Sequence, residues 1–311
     1  MDDVRATTKK YYLLGGICLI VFILASTPIF LSPYMVIFLT SIFLYMVLTM
    51  SWAIFSGPTR YISLASAAFF GTGIYVSAIL GEVLPLIAVV FAGGVISFLL
   101  AFLIGIITLR LRGMYFIIFT FVSSELIRNF ILFYENSYTG TIGRWVVSID
   151  STTVYYFMLV IFLMTLGAAY AIKRSRFGLA LRSIGEAEEA SDHIGINVVM
   201  MKVLAFAIAA FFMGASGAIM ATRWTYIDPM IAFNPLYSFM PVLMAIFGGV
   251  EHIHGHMVGA IIFSVLEEVL ITEFPYHYML LFGIILIVAI VYLPQGLVGK
   301  LGQKKGLKES P

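Results

Sequence analysis

Charge is scarce in this sequence. Asp, Glu, Lys and Arg supply 11% of its 311 residues, where a soluble domain carries roughly 25%. A water-facing surface needs more polar area than that, so a soluble enzyme is a poor reading. Cysteine is scarcer still. The single Cys18 lies in an apolar run without an intrachain partner, so this chain cannot build a disulfide framework or a cysteine metal site. No basic tract interleaves with aromatic residues, and nucleic-acid binding has no support. A phosphate-binding loop is missing as well, because Gly299-Lys300 lacks the upstream glycines and the following Ser or Thr. The chain is therefore expected to be no enzyme, with no catalytic residues, metal or cofactor of its own.

Apolar length is abundant instead. Hydrophobic residues make up 61% of the chain, and its mean hydropathy is +1.04. Runs of about 20 apolar residues, each long enough to cross a bilayer core, recur throughout. Ten spans fit, at 11–30, 33–54, 62–80, 84–109, 114–134, 153–172, 203–222, 236–250, 256–272 and 277–293. The expected fold class is an all-α polytopic membrane protein of about ten transmembrane helices. The eighth and ninth are short and broken by Gly248, Gly249, Gly255 and Gly259, as tolerated where protein surrounds the backbone. The first run is read as an uncleaved helix, with Ala25-Ser26-Thr27 keeping cleavage open. Many of the 27 Phe and 17 Tyr would fill lipid-facing and interhelical space.

Basic residues orient these spans. Fifteen of the eighteen Lys and Arg residues fall on one side, including Arg5, Arg60, Arg110, Arg112, Lys173, Arg182, Lys202 and Lys300. Arg144 and Arg223 fall on the other side, and Arg128 inside a span. The positive-inside rule makes the crowded side cytoplasmic, in a bacterial inner membrane, with both termini there. Residues 1–10 form the cytoplasmic N-terminus, 11–298 the membrane domain, and 299–311 a short basic tail.

The longest polar connection, 173–202, is the most informative segment. The stretch from Arg174 to Ser183 combines basic residues with Phe177, Leu179, Ala180 and Leu181, as in a helix at a membrane surface. Gly185 is expected to interrupt it, Glu186 to Ala190 to start a second short helix, and Gly195 to end the turn. Two readings stay open: a polar loop that satisfies its own charges, or a rigid element transmitting a push from a docked partner. An outer connection, 135–152, mixes glycines, polar groups and Trp145.

Inside the spans, Glu125 and Arg128 stand three apart, so they can share a helix face and pair. A structural pair, a gate and a substrate contact all fit, since membrane charges point into the bundle or a polar cavity. Ser63, Ser66, Gly71 and Gly73 form a small-residue surface suited to close packing or to exposing backbone to a substrate. Glu251, His252, His254 and His256 read as an interfacial polar turn rather than a metal site. Glu267, Glu268 and Glu273 lie towards the outside, where solvated faces or contact with a binding protein are both open readings.

The segment from Arg176 to Ile196 resembles the cytoplasmic loop of LivM-like permeases in the branched-chain amino acid ABC transporter family. Glu189, Ala190, Ser191 and Gly195 match that loop's pattern, with Ser191 in place of an alanine. Further similarities follow in order: Ser63 to Tyr75, Leu109 to Phe116, Glu125 with Arg128, Thr139 to Gly143, Leu204 to Ala218, and Leu293 to Leu297. The chain departs from the family at Met114, where an Asp is common, and in a missing glycine of the outer loop. The resemblance covers about residues 45–298.

The resemblance implies a permease subunit of an importer for branched-chain or related amino acids. It implies a LivH-like permease partner, two ATP-binding subunits that hold ATP and Mg, and an extracytoplasmic solute-binding protein. Arg176, Gly178, Arg182, Gly185, Glu186, Glu189, Ala190 and Gly195 would couple to the ATPase. Ser63, Ser66, Gly71, Gly73, Glu125 and Arg128 are the candidates for the pathway or its gate. A permease for urea or short amides and a secondary transporter are the alternatives.

Overall fold

The computed structural model describes residues 19, 21–249, 252–277 and 280–285. Expectations resting on Arg5, Cys18, Glu251, Lys300, residues 293–297 and the 299–311 tail lie outside these residues. The described helices are α1 (Val21–Phe30), α2 (Pro33–Thr59), α3 (Ser66–Leu80), α4 (Leu86–Thr108), α5 (Met114–Tyr134) and α6 (Ser151–Arg174). They continue with α7 (Arg176–Glu186), α8 (Glu188–His193), α9 (Val198–Ala221), α10 (Pro229–Ala232), α11 (Leu236–Gly248) and α12 (Ile253–Glu273).

The protein is an all-α polytopic membrane protein, but not clearly one of ten full spans. Among the described residues seven helical segments are long and apolar enough to cross a membrane: α2, α4, α5 with its extension to Thr139, α6, α9, Pro229–Gly248 and α12. The expected first and tenth spans are described only in part. The expected third span is shortened: α3 has 15 residues, because residues 60–65 are not helical.

That unwound stretch follows from how α2 ends. Pro58 lies in its last turn, and Arg60 takes a left-handed conformation whose N–H caps the Ser56 carbonyl at 3.0 Å. The next backbone groups find side-chain partners inside the protein. Leu64 N–H donates to Thr120 Oγ1 at 3.1 Å, and Trp52 Nε1 donates to the Ser63 carbonyl at 2.8 Å. Irregular backbone beside a membrane span survives where protein satisfies it in this way.

α9 runs through the centre, packed against α2, α3 and α4. A seam of small residues permits the approach of three of these helices. A Cβ on Gly73 would stand 1.9 Å from the Gly214 carbonyl, and one on Gly217 would stand 2.1 Å from the Phe70 carbonyl. α11 and α12 meet in the same manner, with Gly248 against the Gly255 carbonyl and Gly259 against that of Met244. Lipid gives helices no hydrophobic drive to associate, so close backbone packing carries these interfaces. By contrast α5 is the least buried of the candidate spans.

At the end opposite the 173–202 connection, a short antiparallel ladder pairs Arg144 with Ile227 and Trp145 with Tyr226. This is a small addition to the all-α expectation. Glu135, 1% exposed, organises the neighbouring loop: its carboxylate accepts from Gly143 N–H at 2.8 Å and Arg144 Nε at 3.3 Å.

Candidate functional site

The 173–202 connection folds as two short helices, with the break placed differently from the sequence expectation. Ser175 caps α7 by accepting from Gly178 N–H at 3.1 Å. α7 then continues through Gly185 to Glu186, and the chain turns at Ala187, whose φ and ψ are −152° and 94°. Gly185 therefore does not interrupt the helix; its role is proximity. A Cβ there would stand 2.1 Å from the Pro58 carbonyl, so α7 lies directly on the end of α2. Gly178 is similarly tight, 2.0 Å from the Ile172 carbonyl by the same measure. Gly195 has a φ of 87° and forms the turn into α9, in a region of conformation that favours glycine.

Behind this pair of helices sits a charge cluster that no local motif announces. Lys202 on α9 has a side chain only 1% exposed, and its ammonium donates to Glu188 Oε1 at 2.9 Å and to the Leu109 carbonyl at 3.1 Å. Tyr61, from the unwound stretch, donates its phenol to Glu188 Oε2 at 2.6 Å. The Lys202 ammonium also lies 4.4 Å from the centre of the Tyr61 ring, a cation–π contact. Arg112 completes the rim, 4.0 Å from Glu188 and 3.1 Å from Glu189.

The cluster joins α8 to α9, to the α4–α5 turn and to the end of α2. Burial pushes the Glu188 carboxyl up. The hydrogen bonds from Tyr61 and Lys202, with the Lys202 and Arg112 charges, outweigh burial and hold the group below the usual carboxylate range. Burial, then the Glu188 hydrogen bond and charge, pushes the Tyr61 phenol up. The neighbours of Glu188 therefore favour its charged form. Sequence reading counted Lys202 and Arg112 as orienting charges and Glu188 as a helix starter. Their meeting was invisible because the partners stand 14 to 141 residues apart.

The other predicted residues divide into separate groups. Arg176, Arg182, Glu186, Glu189 and Ala190 are exposed on α7 and α8. Arg182 and Glu186 border a cavity of about 340 Å³. Ser63 and Ser66 are buried, and border a cavity of about 10 Å³ among Trp52, Phe69 and Phe206, large enough for about one water. Gly71 abuts the Phe233 ring and Gly73 the α9 backbone, so both serve close packing. Glu125 and Arg128 form an ion pair, each partly exposed, while Arg128 Nε is buried without a hydrogen-bond partner among the described residues.

The polar groups near the far end also find partners. Tyr34 donates to Glu268 at 2.5 Å and Tyr45 to Glu267 at 3.4 Å, so these acids tie α12 to α2. Among the described residues, no three His, Cys, Asp or Glu side chains converge as metal ligands; His252 stands at the N-cap position of α12 without a side-chain cap bond, and His256 is buried within the helix.

The family described as branched-chain amino acid transport system / permease component matches residues 34–290. The high-affinity branched-chain amino acid transport system permease LivM of Salmonella typhimurium is 25% identical, across 98% of this chain and 80% of its own. LivM of Escherichia coli is 25% identical across 95% and 76%. The ribose import permease RbsC of Haemophilus influenzae is also 25% identical, across 71% and 72%. No solved structure matches the chain.

Proposed function

Because the chain belongs to the family of branched-chain amino acid transport system permease components, and is thereby an ABC-type membrane permease subunit rather than an enzyme, we propose that it carries branched-chain or related amino acids inward. It would do so with a LivH-like permease, two ATP-binding subunits and an extracytoplasmic solute-binding protein. The observation that carries the mechanism is the fastening of α8 to α9 through Glu188 and Lys202 at 2.9 Å. A partner pressing on the exposed residues Glu189 and Ala190 would move α8. The buried ion pair would pass that movement to α9, the central helix, and through Tyr61 to the unwound stretch before α3.

Two-state movement of this bundle about α9 would open the pathway alternately to each side. ATP and Mg would reside on the partner subunits, and the basic end would face the cytoplasm. Glu125 and Arg128 are proposed to gate, since the pair stands on α5, the least covered span. The similarity to a ribose permease keeps substrate class as the point to test. Uptake of radiolabelled leucine, urea and ribose is measured in proteoliposomes holding the chain with its partner subunits, with and without ATP and binding protein. ATP-dependent leucine uptake is expected. ATP-dependent uptake of urea or ribose alone would overturn the substrate, and ion-driven uptake by the lone chain would overturn the subunit assignment.

A further inference from the structure

The cavity of about 340 Å³ lies where the ends of α2 and α6 meet α7 and the start of α12. Arg60, Lys173, Arg182, Glu186 and His256 supply its polar wall. Arg60 and Arg182 set two positive charges on that wall against the one negative charge of Glu186. Met50, Ala53, Ile54 and Gly57 on α2, with Ala169 and Ile172 on α6, supply an apolar wall. From Met50 to Pro58 the α2 side of this wall extends about 12 Å along the helix axis. Both helices are candidate membrane spans, so a cationic rim opens onto an apolar trough that runs towards the bilayer interior.

Arg60 adds an independent observation. It is the one non-glycine residue with a positive φ, 60°, among the described residues. A left-handed C-cap of this kind normally falls to Gly or Asn, because the conformation disfavours other residues that carry a Cβ. An arginine held there against its backbone preference points to a task for its guanidinium.

We propose that this cavity binds an anionic phospholipid, with the phosphate between Arg60 and Arg182 and one acyl chain along the α2–α6 trough. Arginine forks suit phosphate oxygens, and the apolar trough is what separates a lipid from a free phosphate compound. The 299–311 tail does not suit the site: Lys300, Lys304, Lys305 and Lys308 against Glu309 give it the same sign as the rim. A lipid held there would press against α7 from the membrane side, next to the Gly185 contact with α2.

Thermal unfolding of the full-length chain in neutral detergent tests this, with phosphatidylglycerol, phosphatidylcholine or glycerol phosphate titrated in. Phosphatidylglycerol is expected to raise the melting temperature of the wild type, and the other two are not. In the double variant Arg60→Gly, Arg182→Gln the half-saturating phosphatidylglycerol concentration should rise roughly tenfold. Arg60→Gly alone relaxes the backbone at its position, and carries the test with a smaller shift if the double variant does not fold. An equal response to phosphatidylcholine, or an unshifted response in the variants, would overturn the proposal. An equal response to glycerol phosphate would make the ligand a free phosphate compound and overturn the lipid assignment.

Discussion

Lys202 is the residue on which the site turns, since an ammonium 1% exposed on a candidate membrane helix persists only with its donors satisfied. Removing one partner of such a pair leaves the other charged and poorly solvated, which costs about 3 kcal/mol. Glu188→Met, which strands the buried ammonium, should therefore lower stability by about that much in denaturant titrations of the purified chain. The double change Glu188→Met, Lys202→Met should recover at least half of the loss, because no buried charge is left without a partner. Arg112 and Glu189 present the opposite case, a pair with side chains 62% and 79% exposed and screened by solvent. Arg112→Ala should leave the melting temperature unchanged.

Acid should reproduce part of the Glu188→Met effect. The Glu188 carboxyl is held below its usual range in the folded protein. Its contribution is present above the ordinary carboxylate range and is lost as pH falls through the depressed value. Stability measured from pH 7 downward should fall on that limb, and Glu188→Gln should flatten it. An identical acid limb in wild type and variant would assign the transition to other carboxylates.

At the scale of elements, α7 is placed by how closely it lies on α2. Gly185→Leu would drive a side chain into the Pro58 carbonyl, 2.1 Å from the position of its Cβ. Backbone cannot yield as a flexible side chain does, so α7 should lift and stability should drop by about 2 kcal/mol. Gly73→Ala meets the Gly214 carbonyl at 1.9 Å and should separate α3 from α9. A limited-proteolysis comparison checks the first change, with faster cleavage expected within 187–197.

Most elements were legible in the sequence because apolar length and basic flanks suffice to mark a span. The predicted 84–109, 114–134 and 153–172 lie within about two residues of α4, α5 and α6. The expected third span, 62–80, starts four residues early, because residues 62–65 read as apolar although the Arg60 turn, Thr120 and Trp52 hold them unwound. Gly185 read as a breaker, since a glycine needed for proximity looks no different in sequence from one needed for a turn. Glu188 joined to Lys202 and Tyr61 was not legible at all, because tertiary pairing leaves no periodic signal.

For the whole molecule, force is expected to enter at α7 and α8 and to reach the central helix through the charged junction of Glu188 with Lys202 on α9. Assembly and coupling are then separable, since Glu189 and Ala190 face outward while Glu188 and Lys202 face inward. Glu189→Lys should weaken co-purification with the ATP-binding subunits. Changes at the inner pair should leave the complex intact but disconnect it.

The most direct measurement is leucine taken up per ATP hydrolysed by the reconstituted complex, compared between wild type and the Glu188→Met, Lys202→Met double variant. Both complexes are expected to co-purify and hydrolyse ATP, with uptake per ATP at least tenfold lower in the variant. An unchanged ratio would contradict the claim that this junction carries the coupling.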